Sequence, residues 1–144
     1  MSSQSQISQY KDLVRSMFTT LYEEQNYDAF DEFYTADAVR YGGLQGPMEG
    51  REVVAGYVQQ ALSGFSNVEI DESHCLCEDD IVAYHFTLAG DNTESFMGAA
   101  ATGERVEVDN AVFCRIEDGK IAEEWAQTDL LGLLTGVGLV ELPF

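Results

Sequence analysis

The chain has 144 residues, with 26 acidic against 7 basic side chains, a formal charge of −19 and a hydrophobic fraction of 45%. That length and apolar content fit one domain, residues 1–144, with a core of its own. The negative charge repels phosphate backbones and anionic lipid, which argues against nucleic-acid and membrane partners. No run of about 18 apolar residues is present. The polar start Ser2-Ser3-Gln4-Ser5-Gln6 lacks the apolar segment of a signal peptide, so a cytoplasmic protein is expected.

The acids are spread along the chain among aromatic and β-branched residues, which argues for a fold rather than a disordered tail. Lysine occurs only at Lys11 and Lys120. Such a charge balance suggests adaptation to high salt, where screening shortens to about 3 Å at 1 M and removes self-repulsion. Cys75, Cys77 and Cys114 are an odd number without framework spacing, as in a reduced compartment. His74-Cys75-x-Cys77 lacks the second ligand pair of a zinc site.

In chain order, Ile7, Tyr10, Leu13, Val14, Met17, Phe18, Leu21 and Tyr22 recur at spacings of three and four and predict a helix, with Ser3 or Ser5 as cap. Asn26 breaks the pattern and is expected to cap a short helix bearing Ala29, Phe30 and Phe33. A short extended piece follows over residues 38–41. Gly42, Gly43, Gly46, Pro47 and Gly50 then mark a loop. A third helix carries Val53, Val54, Tyr57, Val58, Ala61 and Leu62 on one face, and Gly64 ends it.

The second half changes to period two. Strands are predicted over residues 68–77, 81–89, 106–116 and 121–128, with Glu78-Asp79-Asp80 and Glu117-Asp118-Gly119-Lys120 as tight turns and a loop over 90–103. Leu130, Leu131, Leu133, Leu134 and Val137 suggest a short closing helix. Helices first and a meander of strands after make an α+β fold. The expected form is a cone-shaped, curved antiparallel sheet packed on N-terminal helices, with an internal pocket.

On the last strand, Ile121, Glu123, Trp125, Gln127 and Asp129 share one face. The face with the lone tryptophan is taken as the lining of the hollow. An aspartate beside an indole in a dry cavity is desolvated, which raises its proton affinity and suits it to general acid/base work. Asp129 equally suits the cap of the helix starting at Leu130, and the two roles are compatible. His85 reads either as a proton relay or hydrogen-bond donor, or as a partly exposed packing residue. Asn110, among Val108, Val112 and Cys114, needs a partner and reads as a ligand contact or a core hydrogen bond. There is no phosphate-binding glycine loop, nucleophile elbow or metal-spaced histidine pair, so cofactor-free and metal-free chemistry is expected.

The stretch Asp118-Gly119-Lys120-Ile121, Glu124-Trp125, then Asp129-Leu130-Leu131-Gly132-Leu133-Leu134 resembles the C-terminal signature of the SnoaL-like polyketide cyclase (ester cyclase) family, within the nuclear-transport-factor-two-like superfamily. Phe96-Met97-Gly98 with Thr102-Gly103-Glu104-Arg105-Val106, and Gly50-Arg51-Glu52-Val53-Val54, are similar to further family segments. The resemblance runs from about Tyr10 to Gly138. Ala100-Ala101 stand where the family often has two prolines, and Tyr41 where it often has histidine. The resemblance implies a dimeric α+β cone and ring closure by intramolecular aldol condensation without a cofactor, with Asp129 matching the acid/base aspartate.

The resulting expectation is a cyclase or isomerase-type enzyme for a small, largely apolar carbonyl compound. Asp129 and His85 are its catalytic candidates, Trp125, Asn110, Tyr41 and Gln127 its substrate contacts. The alternative is a non-catalytic ligand-binding or dimerising module of the same fold. An epoxide hydrolase ranks lower, because Arg115 falls on the opposite strand face from Asn110.

Overall fold

The computed structural model describes residues 3–43 and 46–144. Helix α1 (Gln4–Met17) starts where the Ser3 side chain accepts a hydrogen bond from the Gln6 amide at 3.0 Å, and it runs on as a π-helical turn over Phe18–Glu23. A 3₁₀ turn (Tyr27–Ala29) and the four-residue α2 (Phe30–Phe33) follow. The Asn26 side chain makes no capping bond. Strand β1 (Tyr34–Tyr41) begins four residues earlier than the sequence suggests, and the two-residue β2 (Met48–Glu49) pairs with it inside the stretch read as loop. Helix α3 (Arg51–Leu62) leads into β3 (Phe65–Glu78), β4 (Ile81–Asn92), β5 (Arg105–Glu117), β6 (Lys120–Thr128) and the closing α4 (Leu130–Gly136).

The result is an α+β fold in which the N-terminal helices pack on one curved, unclosed sheet of order β2-β1-β6-β5-β4-β3. The meander β3 to β6 is antiparallel, as hairpin connections require. The first strand instead lies parallel to the last, with Arg40 opposite Glu124 and Tyr41 opposite Trp125. That long-range pairing leaves no local mark in the sequence. It needs a close approach at Gly42, whose φ of +118° and proximity to the Ala126 carbonyl exclude a side chain.

The core fills the concave side. Val14, Met17, Phe18 and Leu21 from the first helix, and Val54, Val58 and Leu62 from α3, meet Tyr84, Phe86, Val112 and Cys114 of the sheet. Phe18 sits at the centre, its ring 4.8, 5.3 and 4.6 Å from those of Tyr22, Tyr84 and Phe86. Truncating such a ring to alanine costs about 3–5 kcal/mol. Among the described residues no helix is long and apolar enough to cross a membrane.

Strand β3 does not keep the alternation its sequence suggests. Register shifts fall between Ser66 and Glu69 and between Glu72 and His74. The second one turns Cys75 to the concave side opposite Tyr84 and sends His74 and Leu76 outward beside His85 and Ala83, while Glu72, before the shift, stays inward opposite Phe86.

Candidate functional site

A cavity of about 100 Å³ lies between the concave face of the sheet, α3 and α4. A buried water needs roughly 10–15 Å³ on the same measure, so the space suits a molecule of about ten heavy atoms. Its wall is mostly apolar, including Phe86, Leu88, Val108 and Leu133. Polar side chains enter at two places. At one, the Asn110 amide donates to the Val108 carbonyl at 3.0 Å and its oxygen accepts from the Thr128 hydroxyl at 2.8 Å. At the other stand Arg40, Tyr22 and Tyr57.

Arg40 is 6% exposed and Glu124, facing it from β6, is 1% exposed. Their nearest atoms, Arg40 Nε and Glu124 Oε2, are 3.5 Å apart, which is ion-pair distance without a hydrogen bond. The Tyr34 hydroxyl donates to Glu124 Oε1 at 2.5 Å. The Arg40 guanidinium lies 4.7 Å from the centre of the Tyr57 ring. Burial works against the Arg40 charge, but Glu124 and the surrounding tyrosines outweigh it and hold the guanidinium above its ordinary proton affinity. Burial, then the Glu124 charge, pushes the Tyr22 and Tyr34 phenols up.

The sequence placed the hollow on the wrong face of the last strand. Ala126 and Thr128 point inward with Glu124, whereas Trp125 points outward and stacks on Tyr41 at 5.7 Å. The physical reason is volume. A cavity against β6 requires small inward residues such as Ala126, and the indole, which would fill it, finds apolar cover outside. The Tyr41 hydroxyl, on that outer face, donates to Glu123 at 3.3 Å. Gln127 is exposed beside Ala111.

His85 is also outside, since strand alternation puts its neighbours Tyr84 and Phe86 in the core. Its ring stacks on His74 at 5.3 Å, its Nδ1 lies 3.0 Å from His74 Nδ1, and its Nε2 lies 3.0 Å from Asp109. Asp129 is exposed and caps α4, its Oδ1 accepting from the Gly132 amide at 2.9 Å. Its carboxylate stays outside the cavity wall, although both chain neighbours, Thr128 and Leu130, belong to that wall. Asn110 therefore lies on the cavity wall, Asp129 lies beside it, and His85, Trp125, Tyr41 and Gln127 share the opposite side of the sheet. The Arg40–Glu124–Tyr34 cluster escaped the sequence reading, because only the parallel β1–β6 pairing brings it together. The one local sign was Glu124 between Ala122 and Ala126 on the same face of the strand.

Helices packed over an unclosed, curved sheet define a ketosteroid isomerase-like fold. The chain belongs to the SnoaL-like polyketide cyclase family, whose model matches residues 12–137. Membership supports a cyclase- or isomerase-type function. Its structure is similar to that of a Jannaschia sp. CCS1 protein classed as a SnoaL-like polyketide cyclase, at 22% identity over 98% of this chain and 99% of that one, with a TM-score of 0.85. TsrD from Streptomyces laurentii matches at 21% identity over 97% and 100% of the chains, TM-score 0.80. A protein with a ketosteroid isomerase-like fold from Catenulispora acidiphila DSM 44928, in complex with trimethylamine, matches at 19% identity over 90% and 94% of the chains, TM-score 0.72. No curated protein sequence matches the chain.

Proposed function

We propose that this chain is a cyclase or isomerase-type enzyme that binds a small, largely apolar carbonyl compound in the cavity. The observation that carries this reading is the cavity itself, apolar with a few polar side chains, in a member of a cyclase family. Asn110 spends one amide N–H on Val108 and keeps the second for a ligand carbonyl. Asp129 is the proposed base. Rotation about its Cα–Cβ bond releases the Gly132 amide and turns the carboxylate toward the wall formed by Thr128 and Leu130. It takes a proton from the carbon α to the carbonyl. The enolate carbon attacks a second carbonyl of the same molecule, forming the ring bond, and the resulting alkoxide recovers the proton from Asp129. Atoms balance, and the product is an isomer of the substrate.

The test is α-proton exchange and ring closure of heptane-2,6-dione in deuterated buffer, followed by NMR. Asp129→Asn keeps a good helix cap and is expected to lose at least about 10² in rate. An unchanged rate retires Asp129 as base. The exposed, cap-engaged carboxylate favours a second reading, a ligand-binding module without catalysis, in which the dione binds but exchanges no faster than in buffer.

The outer face supports a homodimer. Leu76, Ala83, Phe113, Trp125 and Tyr41 are cross-strand neighbours in one continuous row, with Leu76 63% and Phe113 46% exposed. A second copy is the proposed cover for this apolar stripe. The charge of −19 supports operation at high salt.

A further inference from the structure

Among the described residues on the cavity wall, Arg40 alone carries a charge. Its charge is balanced but its donors are not spent. Nη1 has no hydrogen-bond partner although the residue is 6% exposed, and Nε faces Glu124 Oε2, itself unpartnered, beyond hydrogen-bond distance. Glu124 stands at 3.5 Å and already draws a hydrogen bond from Tyr34. Tyr57 offers its ring face, which favours the cation and leaves the in-plane N–H groups unengaged. Buried arginine donors are ordinarily partnered, and a guanidinium fork matches a carboxylate in shape and charge.

We propose that Arg40 receives a carboxylate of the ligand, so that the cavity selects a small apolar acid over its neutral analogues. The proposal rests on the cavity being a ligand site and names the class of ligand it takes. Four residues, roughly 13 Å of strand, separate Glu124 from Thr128. An acid held at Arg40 and a carbonyl held near Asn110 and Thr128 therefore belong to opposite ends of one molecule, such as a keto acid with an apolar middle.

The test is calorimetric titration at pH 7 of the whole protein with 4-ethylbenzoate and its neutral isostere 4-ethylbenzamide. The wild type is expected to bind the acid about tenfold or more tightly than the amide. In Arg40→Met/Glu124→Gln, which removes both charges together and strands neither, the ratio is expected to fall to about one. A merely structural arginine would leave the acid-to-amide ratio unmoved. Equal or tighter binding of the amide by the wild type overturns the Arg40 assignment and keeps the cavity as a ligand site. A preference for the acid that survives in the double variant also overturns it. Binding of neither probe overturns both this assignment and the cavity reading. If the double variant does not fold, the wild-type Arg40 Nε–H resonance decides. It moves on saturation with the acid but not with the amide, and a resonance that stays put overturns the proposal.

Discussion

Replacing Arg40 with methionine strips a 1%-exposed Glu124 of its counter-charge and leaves it the Tyr34 hydroxyl alone. Removing one partner of a buried pair typically costs 3–5 kcal/mol. For 144 residues the unfolding entropy is about 0.30 kcal/mol/K, which converts that loss to a fall in Tm of about 10–17 °C. Urea melts and thermal scans followed by circular dichroism measure both values, and adding Glu124→Gln should restore stability to within about 1 kcal/mol of wild type. A loss below about 1 kcal/mol, or one that Glu124→Gln does not relieve, would refute the claim that these charges depend on each other inside the core.

The phenols of Tyr22, Tyr34 and Tyr84 are all pushed up, chiefly by burial, then by Glu124 for the first two and Glu72 for the third. The folded state keeps their protons above pH ~10 while the unfolded chain loses them, so stability should fall with rising pH by up to about 4 kcal/mol per unit. Absorbance at 295 nm and circular dichroism should therefore change together, and free titration near pH 10 in a still-folded protein would contradict this burial. At the outer face, sedimentation should give about twice the 15.9 kDa chain mass, falling to one chain in Phe113→Asp. A wild-type monomer at every concentration removes the dimer. With a charge of −19, Tm should climb steadily from low to molar salt as self-repulsion is screened, and a flat profile removes the high-salt reading.

How much was legible depended on whether the signal was local. The amphipathic face of α1, the Asp118-Gly119 hairpin and the alternating Val82, Tyr84, Phe86 and Leu88 each occupy a few consecutive residues and follow from periodicity and turn chemistry, and of the two caps the sequence offers, Ser3 and Ser5, the structure uses Ser3. The C-terminal run ending Leu130-Leu131-Gly132-Leu133-Leu134 likewise led to the family. The register shift before His74 was not legible, because a bulge reverses inside and outside with no required residue type. Nor was the inward face of β6. Both of its faces alternate acceptably, and the larger aromatic proved to be the outward one.

The sequence by itself determined the α+β order of elements, the antiparallel meander and the family, because these follow from nearest-neighbour propensities and a contiguous motif. Only the tertiary structure decided which side of the sheet is hollow and what stands in it. Arg40 and Glu124 are 84 positions apart and meet because β1 lies parallel to β6. A cavity is the space that small residues leave when distant segments pack, and no single segment carries a record of that space.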